Sequence, residues 1–263
     1  MEPQTIDLSY WSLLVIYGLL VIPVAVFRIT GVNLIRASAV SIVRMSAQLA
    51  LVGLYLGFLF ELNNLWLNIA WLIIMLLVAN ISIIGSAGLK LRFFFVPTLI
   101  GVALSTIIVL AVFVFIAIHP SPLYDARYLI PIAGMILGNC LKGNVLALER
   151  FYSAIRKNER EFSTYLFMGA QLNEAARPYF RQAILAANAP HVATMATLGI
   201  VSLPGMMTGQ ILGGAFPIVA IKYQIAIMIS IFSSMALSSY LNIRLSMAIA
   251  FDDFQNLRRE VMK

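Results

Sequence analysis

The chain has 263 residues, of which 61% are hydrophobic and only 11% are charged. Because a soluble globular protein carries about 25% charged residues, this composition excludes a water-soluble domain. It indicates one all-α domain over residues 1–263 that crosses a membrane several times. The net charge of +7 then belongs to loops on one side of the membrane, and no nucleic-acid partner is expected.

Apolar runs of about 20 residues predict about seven transmembrane helices. They cover approximately residues 8–27, 39–60, 65–86, 94–118, 129–148, 183–212 and 217–245. Basic residues lie mostly in the loops on one side, which predicts that the N-terminus is outside and the C-terminus inside. The expected location is the cell (inner) membrane, as a multi-pass protein.

Residues 149–182 form the only long polar run between the apolar segments. Within it, Phe151, Ile155, Phe162 and Leu166 recur at helical spacings of four and seven. Gly169-Ala170 then interrupts the pattern, and a second helical pattern begins near Leu172. We interpret this stretch as a cytoplasmic helical elbow that a soluble partner binds. An amphipathic loop lying on lipid head groups is the alternative.

A few polar side chains interrupt the predicted spans. Arg44 and Gln48 are four residues apart and share a helical face, although Arg44 alone fits a side chain that reaches toward the head groups. Asn139 and Lys142 share a face of the fifth span, whereas Asn144 is turned away. Gln224 is a lone amide, which in a helix bundle usually makes an interhelical hydrogen bond.

The sixth span contains Pro204 deep in an apolar segment. Proline removes a backbone donor and clashes with the preceding turn, so the helix is predicted to kink or unwind there. Thr208 and Gln210 supply oxygen atoms nearby, and Met206 and Met207 supply soft sulfur, which makes the two methionines candidate metal ligands. A kinked helix that serves only packing is the alternative.

The sequence also lacks several signatures. None of the eleven acidic residues lies in the middle of a predicted span, where carriers driven by an ion gradient usually hold a carboxylate. Neither a His-Glu-x-x-His zinc motif nor a phosphate-binding P-loop is present. We therefore expect no enzymatic activity and no cofactor in this chain alone.

Several stretches together resemble a known family. They are residues 44–53, Pro131-Ile-Ala-Gly-Met-Ile-Leu-Gly-Asn139, Met168-Gly-Ala170, Arg181-Gln-Ala-Ile184, Gly199-Ile-Val-Ser-Leu-Pro-Gly-Met-Met-Thr-Gly209 and Ala220-Ile-Lys-Tyr-Gln-Ile225. On these stretches the chain resembles the membrane subunit of the FetB/YbbM-type ABC exporters. That family is linked to iron export in bacteria, and its plant relatives are linked to aluminium tolerance.

The resemblance implies a homodimeric permease that works with a separate cytoplasmic ABC ATPase, which binds ATP-Mg. It also implies that the elbow is the coupling helix, with contacts made by Arg160, Glu161, Tyr165, Met168, Gly169 and Ala170. The Glu-Ala-Ala motif of many importers is replaced by Ser163-Thr-Tyr165, so the direction of transport rests on the likeness alone.

Iron or another metal is the cargo that the resemblance implies. The expected pathway residues are Arg44, Gln48, Asn139, Lys142, Pro204, Met206, Met207, Thr208, Gln210 and Gln224. Three alternatives stay open: a permease for a nucleotide sugar or another anionic cargo, a carrier that works alone on an ion gradient, and a purely structural assembly factor.

Overall fold

The computed structural model describes residues 9–262, and every regular element in that range is a helix. The prediction of an all-α protein is confirmed. Leu8, where the first predicted span begins, lies outside the described residues. The α-helices are α1 Tyr10–Gly18, α2 Val21–Ile29, α3 Ile35–Leu62, α4 Leu65–Ser86, α5 Leu91–Val112, α6 Ala126–Lys157, α7 Glu159–Phe167, α8 Leu172–Ala175, α9 Arg177–Thr197, α10 Gly205–Leu212 and α11 Pro217–Ala250.

Six stretches within residues 9–262 are long and apolar enough to cross a membrane. They are Tyr10–Ile29, Ile35–Leu62, Leu65–Ser86, Leu91–Ile118, Ala126–Lys157 and Pro217–Ala250. They correspond to six of the seven predicted spans, and the polytopic membrane fold is confirmed. The count of seven and the orientation stay predictions, because the predicted span over residues 183–212 is divided between α9 and α10.

The division of that segment has a local cause. Helix α9 ends at Thr197, and Gly199 follows with a φ of +87°, a conformation that favours glycine. Pro204 has an extended backbone immediately before α10. Proline fits the start of a helix because it has no amide hydrogen to donate. The interruption predicted at Pro204 is present in the structure.

Helices α6 and α11 form the centre of the bundle and are joined by a line of buried polar contacts. The Cys140 thiol donates to the Ser234 hydroxyl at 3.3 Å, and Asn144 Nδ2 donates to Ser238 Oγ at 2.8 Å. Further along, the hydroxyls of Tyr152 and Ser246 lie 2.6 Å apart. Each of these pairs is separated by 94 residues. A constant separation means that α6 and α11 run in the same direction.

This parallel packing constrains the path of the chain between the two helices. After α6 ends at Lys157, the chain must return along the bundle before α11 begins at Pro217. Helices α9 and α10 make that return, on either side of the break at residues 198–204. The parallel arrangement therefore favours a membrane crossing by α9 and α10 together, although residues 198–204 separate the two helices.

The segment that follows α11, residues 251–262, folds back against the bundle, and we call it the tail segment. The Lys90 amide donates to the carbonyl of Val261 at 3.0 Å, and Leu89 forms an isolated bridge with Met262. Leu89 and Val261 are fully buried. The tail segment thus closes the same end of the bundle at which α6 passes into the elbow.

Helices α1 to α3 contribute little to this core. Their side chains are mostly exposed, and α3 packs on the start of α6 chiefly through Leu59, which meets Ala126 and Ile130. Asn63 reinforces this contact by accepting a hydrogen bond from the Ala126 amide at 3.0 Å. An apolar and exposed surface of this kind is the one that faces lipid in a membrane-spanning chain.

Candidate functional site

The elbow, residues 149–182, continues directly from the bundle. Helix α6 runs without interruption from Ala126 to Lys157, so the fifth predicted span and the first part of the elbow are one helix. Asn158 gives the chain a small change of direction, and α7 follows over Glu159–Phe167. Helices α8 and α9 then lead back to the bundle. The elbow is therefore continuous with α6 at its start, and only Ala176 separates α8 from α9 at its end.

The turn at the end of α7 has a defined backbone geometry. The amide of Gly169 donates to the Leu166 carbonyl, and the amide of Ala170 donates to the Tyr165 carbonyl, both at 3.0 Å. These two bonds form the Schellman motif, in which the residue after the cap adopts a left-handed conformation. Gly169 does so, with a φ of +91°. The glycine break predicted from the sequence is thus the structural end of α7.

The turn exposes two large apolar side chains. Phe167 is 90% exposed and Met168 is 79% exposed, at the tip of the elbow. Arg160 and Tyr165 are also exposed on α7, and Ala170 is partly covered. The tip of the elbow is therefore apolar, whereas the rest of its exposed surface is largely polar.

The opposite face of α7 is anchored to the bundle. Phe162 is only 2% exposed and packs between the rings of Tyr179 and Phe251, with centroids 6.2 Å and 5.8 Å away. Phe151 and Ile155 are buried in the same cluster. The apolar residues that the sequence placed on one helical face are therefore the contact of the elbow with the core.

Glu161 joins α7 to the start of α9. Its carboxylate accepts a hydrogen bond from the Tyr165 hydroxyl at 3.1 Å and from the Tyr179 hydroxyl at 3.4 Å. Burial and the nearby Glu161 charge raise the pKa of Tyr179 to about 12, and the hydrogen bond to Glu161 raises the pKa of Tyr165. Both hydroxyls therefore remain protonated donors at neutral pH.

A second candidate site is a cavity of about 230 Å³ between α6, α9 and α11. It is lined by polar and apolar side chains, among them Asn139, Lys142, Pro190, His191, Thr194 and Met235. Lys142 is exposed and Asn139 is half-buried, so the cavity opens at the surface of the chain. The structure brings the two predicted α6 residues, Asn139 and Lys142, to one site and buries Asn144 elsewhere, as their spacing indicated.

The remaining predicted pathway residues lie apart from this cavity. Arg44 and Gln48 are exposed on α3. On α10, Met206 packs against the cluster around Ile227 and Ile231, and the Thr208 hydroxyl donates to the Pro204 carbonyl at 3.1 Å.

Two amide side chains in this region keep an unused acceptor. Gln210 Oε1 on α10 and Gln224 Oε1 on α11 are buried, and neither accepts a hydrogen bond from the residues that the structure describes. Met206, Met207 and Gln210 are half-buried. Helix α10 thus presents thioether sulfur on Met206 and Met207 and amide oxygen on Gln210, and the assignment of the two methionines to a metal stays a prediction.

Helix α9 contributes residues to the cavity that were not predicted from the sequence. Ala187, Pro190, His191 and Thr194 recur at spacings of three and four, which places them on one helical face. The helical spacing of these four residues is visible in the sequence. The sequence does not show, however, which neighbouring helix His191 faces.

Known proteins resemble the chain over nearly its full length. Residues 10–251 match the uncharacterised protein family UPF0014. The UPF0014 membrane protein slr1647 of Synechocystis is 37% identical over 239 residues, covering 91% of this chain and 92% of the relative. The protein ALUMINUM SENSITIVE 3 of Arabidopsis thaliana is 31% identical over 193 residues, covering 72% of this chain and 67% of the relative.

A further relative carries a functional name. The "Probable iron export permease protein FetB" of Escherichia coli is 28% identical over 225 residues, covering 84% of this chain and 83% of the relative. No solved structure matches the chain at a significant level. Since the family match covers the bundle, the elbow and the cavity, the chain belongs to the UPF0014 family of membrane proteins.

Proposed function

We propose that this chain is the membrane-spanning permease subunit of an ATP-driven ABC exporter. It works as a homodimer with a separate cytoplasmic ATPase, and its cargo is iron or another metal. The name of the Escherichia coli relative, an iron export permease, supports the choice of cargo. The chain itself performs no hydrolysis, and ATP-Mg binds to the partner ATPase.

The elbow is the observation that carries this proposal. It combines a rigid connection to α6, an apolar tip at Phe167 and Met168, and a base fixed by Phe162. A concave surface beside the tip is lined by residues that include Glu174, Arg177 and Arg181. An apolar tip with charged side chains around it has the character of a protein-binding surface.

The proposed mechanism follows from the connection of the helices. ATP binding closes the two ATPase subunits and draws the two elbows together. Because α6 continues into the elbow and α9 leaves it, both helices tilt. The break at residues 198–204 absorbs the change in angle between α9 and α10, in the way that a hinge between packed elements does.

The Gly169 turn tests the coupling role. In Gly169→Ala, the left-handed backbone at this position is strained by about 1–2 kcal/mol, so the tip of the elbow shifts. We expect the variant to be inserted and folded but to lose most of the cargo-stimulated ATPase activity of the complex in lipid nanodiscs. The matched control is Gly31→Ala, which places the same strain at a φ of +68° outside the elbow.

Two results would contradict the proposal. One is full coupled ATPase activity in Gly169→Ala, or an equal loss of that activity in Gly31→Ala. The other is transport by this chain alone in liposomes, which would make it a carrier that needs no ATPase.

A further inference from the structure

Lys142 is a charged side chain inside a predicted membrane span. It lies six residues before Leu148, roughly 9 Å along the helix axis from the end of that span. The nearest acidic residue on its own helix face is Glu149, and Glu149 lies 3.7 Å from Arg150. That is the single ion pair among the residues that the structure describes, so Lys142 has no carboxylate partner there.

A lysine in this position is costly unless water or a counter-ion reaches it. Insertion of a lysine at the centre of a membrane helix costs about 2.5–3.5 kcal/mol, and such residues mark substrate pathways. The cavity between α6, α9 and α11 is lined by Lys142 and opens at the surface. The cost falls if this cavity holds an anion against the ammonium group.

The hydrogen-bonding atoms of the cavity add to this charge. Asn139 Nδ2 uses one of its hydrogens for the Met135 carbonyl at 2.8 Å, which leaves its second hydrogen and its Oδ1 atom available. The Thr194 hydroxyl donates to the Pro190 carbonyl at 2.9 Å, so its oxygen can only accept from a ligand. The site thus offers one positive charge on Lys142, one neutral donor on Asn139, and two acceptors, Asn139 Oδ1 and Thr194 Oγ1.

The walls of the cavity limit its size. The ring of His191 stacks on Phe232 with an interplanar angle of 9°, which fixes one side. Gly143 lies against Met235, and a Cβ atom there would come 2.5 Å from Met235 Cγ. The volume of about 230 Å³ is below the roughly 300–1,000 Å³ of pockets that bind drug-sized ligands.

We propose that this cavity binds a small anion that also carries hydroxyl groups. Lys142 pairs with its carboxylate or phosphate, Asn139 donates to it, and Thr194 accepts from a hydroxyl. The inference rests on the proposed function only in treating this ligand as cargo. Hydroxycarboxylates that chelate metal ions and sugar phosphates share this chemistry. A metal cargo would then cross as an anionic chelate.

Equilibrium binding to the purified chain in lipid nanodiscs tests the proposal. The probes are citrate, the Fe(III)–citrate complex, glucose 1-phosphate and Fe²⁺ alone under reducing conditions. We expect at least one hydroxylated anion to bind, and Lys142→Gln to weaken that binding by about tenfold or more, as expected for a lost charge-assisted hydrogen bond. Lys142→Arg should restore most of the affinity.

The matched control is Lys222→Gln, which removes an exposed lysine from α11 outside the cavity. It should leave binding unchanged. Selective binding of Fe(III)–citrate identifies a chelated metal, and selective binding of glucose 1-phosphate identifies an organic phosphate. Both results support the proposal.

Three results would overturn it: no anion of the panel binds, Lys142→Gln binds the anions as well as the unchanged chain does, or only Fe²⁺ binds. The outcome separates the two proposals. Anion binding without ATPase coupling keeps the site and removes the transport function. ATPase coupling without anion binding removes the anion site and keeps the transport function.

Discussion

At the scale of single residues, Gly101 is a point of close contact between two helices. Helix α5 lies against α11 at this glycine, and a Cβ atom there would come 3.0 Å from Asn242 Cγ and 3.2 Å from the Asn242 backbone nitrogen. Asn242 in turn donates to Asn144 Oδ1 at 2.7 Å. The glycine therefore permits both the helix contact and the polar connection between α6 and α11.

Gly101→Ala should destabilise the bundle. The added methyl group has no free space, and overpacking of this kind costs about 1–3 kcal/mol. Thermal unfolding of the purified protein in detergent measures the effect. Gly57→Ala in α3 is the control, because a Cβ atom there meets nothing within 4 Å and alanine favours a helix. Equal melting temperatures for the two variants would contradict the assigned packing.

The polar residues show what the sequence determines at this scale. The separation of Asn139 and Lys142 from Asn144 followed from helical periodicity, since all three lie on one helix. Arg44 and Gln48 also share a face as predicted, but that face is exposed on α3. His191 and Thr194 line the same cavity as Lys142 because α9 packs on α6. Sequence spacing does not specify that packing.

At the scale of elements, α7 has two faces with opposite roles. Phe162 holds the helix to the core, and Phe167 projects from its end. The two residues have the same side chain and lie in the same helix. They therefore provide a matched pair for separating the stability of the elbow from its proposed contact with the ATPase.

Phe162→Ala should loosen the elbow. Removing a buried phenyl ring costs about 3–5 kcal/mol, and the loss should appear as faster hydrogen exchange of the α7 amides. Phe167→Ala should leave that exchange unchanged, because its ring is 90% exposed, and should weaken association with the ATPase in pull-down experiments. Normal assembly of the Phe167 variant would argue against a role for the tip.

The positions where helices end could be predicted from the sequence, whereas the continuation of one helix across a predicted boundary could not. Gly169 and Pro204 impose local backbone preferences that act wherever the residue occurs. The continuation of α6 to Lys157 crosses from apolar to polar sequence, so composition alone suggested a boundary near Leu148. The helix persists because Phe151 and Ile155 are buried against other elements.

At the scale of the whole molecule, the parallel packing of α6 and α11 forms the centre of the bundle. Hydropathy places α6 and α11 in the membrane, but pairing between helices depends on residues 94 positions apart. The same limit applies to the tail segment. Its buried residue Val261 contacts the turn after α4 through backbone atoms that carry no sequence signal.

Val261→Asp tests that long-range closure. An aspartate at this fully buried position loses its hydration, which is strongly unfavourable. We expect the Lys90 amide, which donates to the Val261 carbonyl, to exchange roughly tenfold faster or more. Phe254→Asp in the same tail segment is the control, because Phe254 is exposed. Unchanged exchange of the Lys90 amide would show that packing of the tail segment does not protect it.

The tail segment also sets an order for biosynthesis. The contact between Arg156 and Met262 joins residues 106 positions apart. Leu89, which pairs with the same Met262, lies even earlier in the chain. The base of the elbow is completed only after residue 262 has been synthesised. Until then, Phe162 lacks its contact with Phe251 and Leu89 lacks its bridge to Met262, so a chain still being synthesised leaves this end of the bundle partly open.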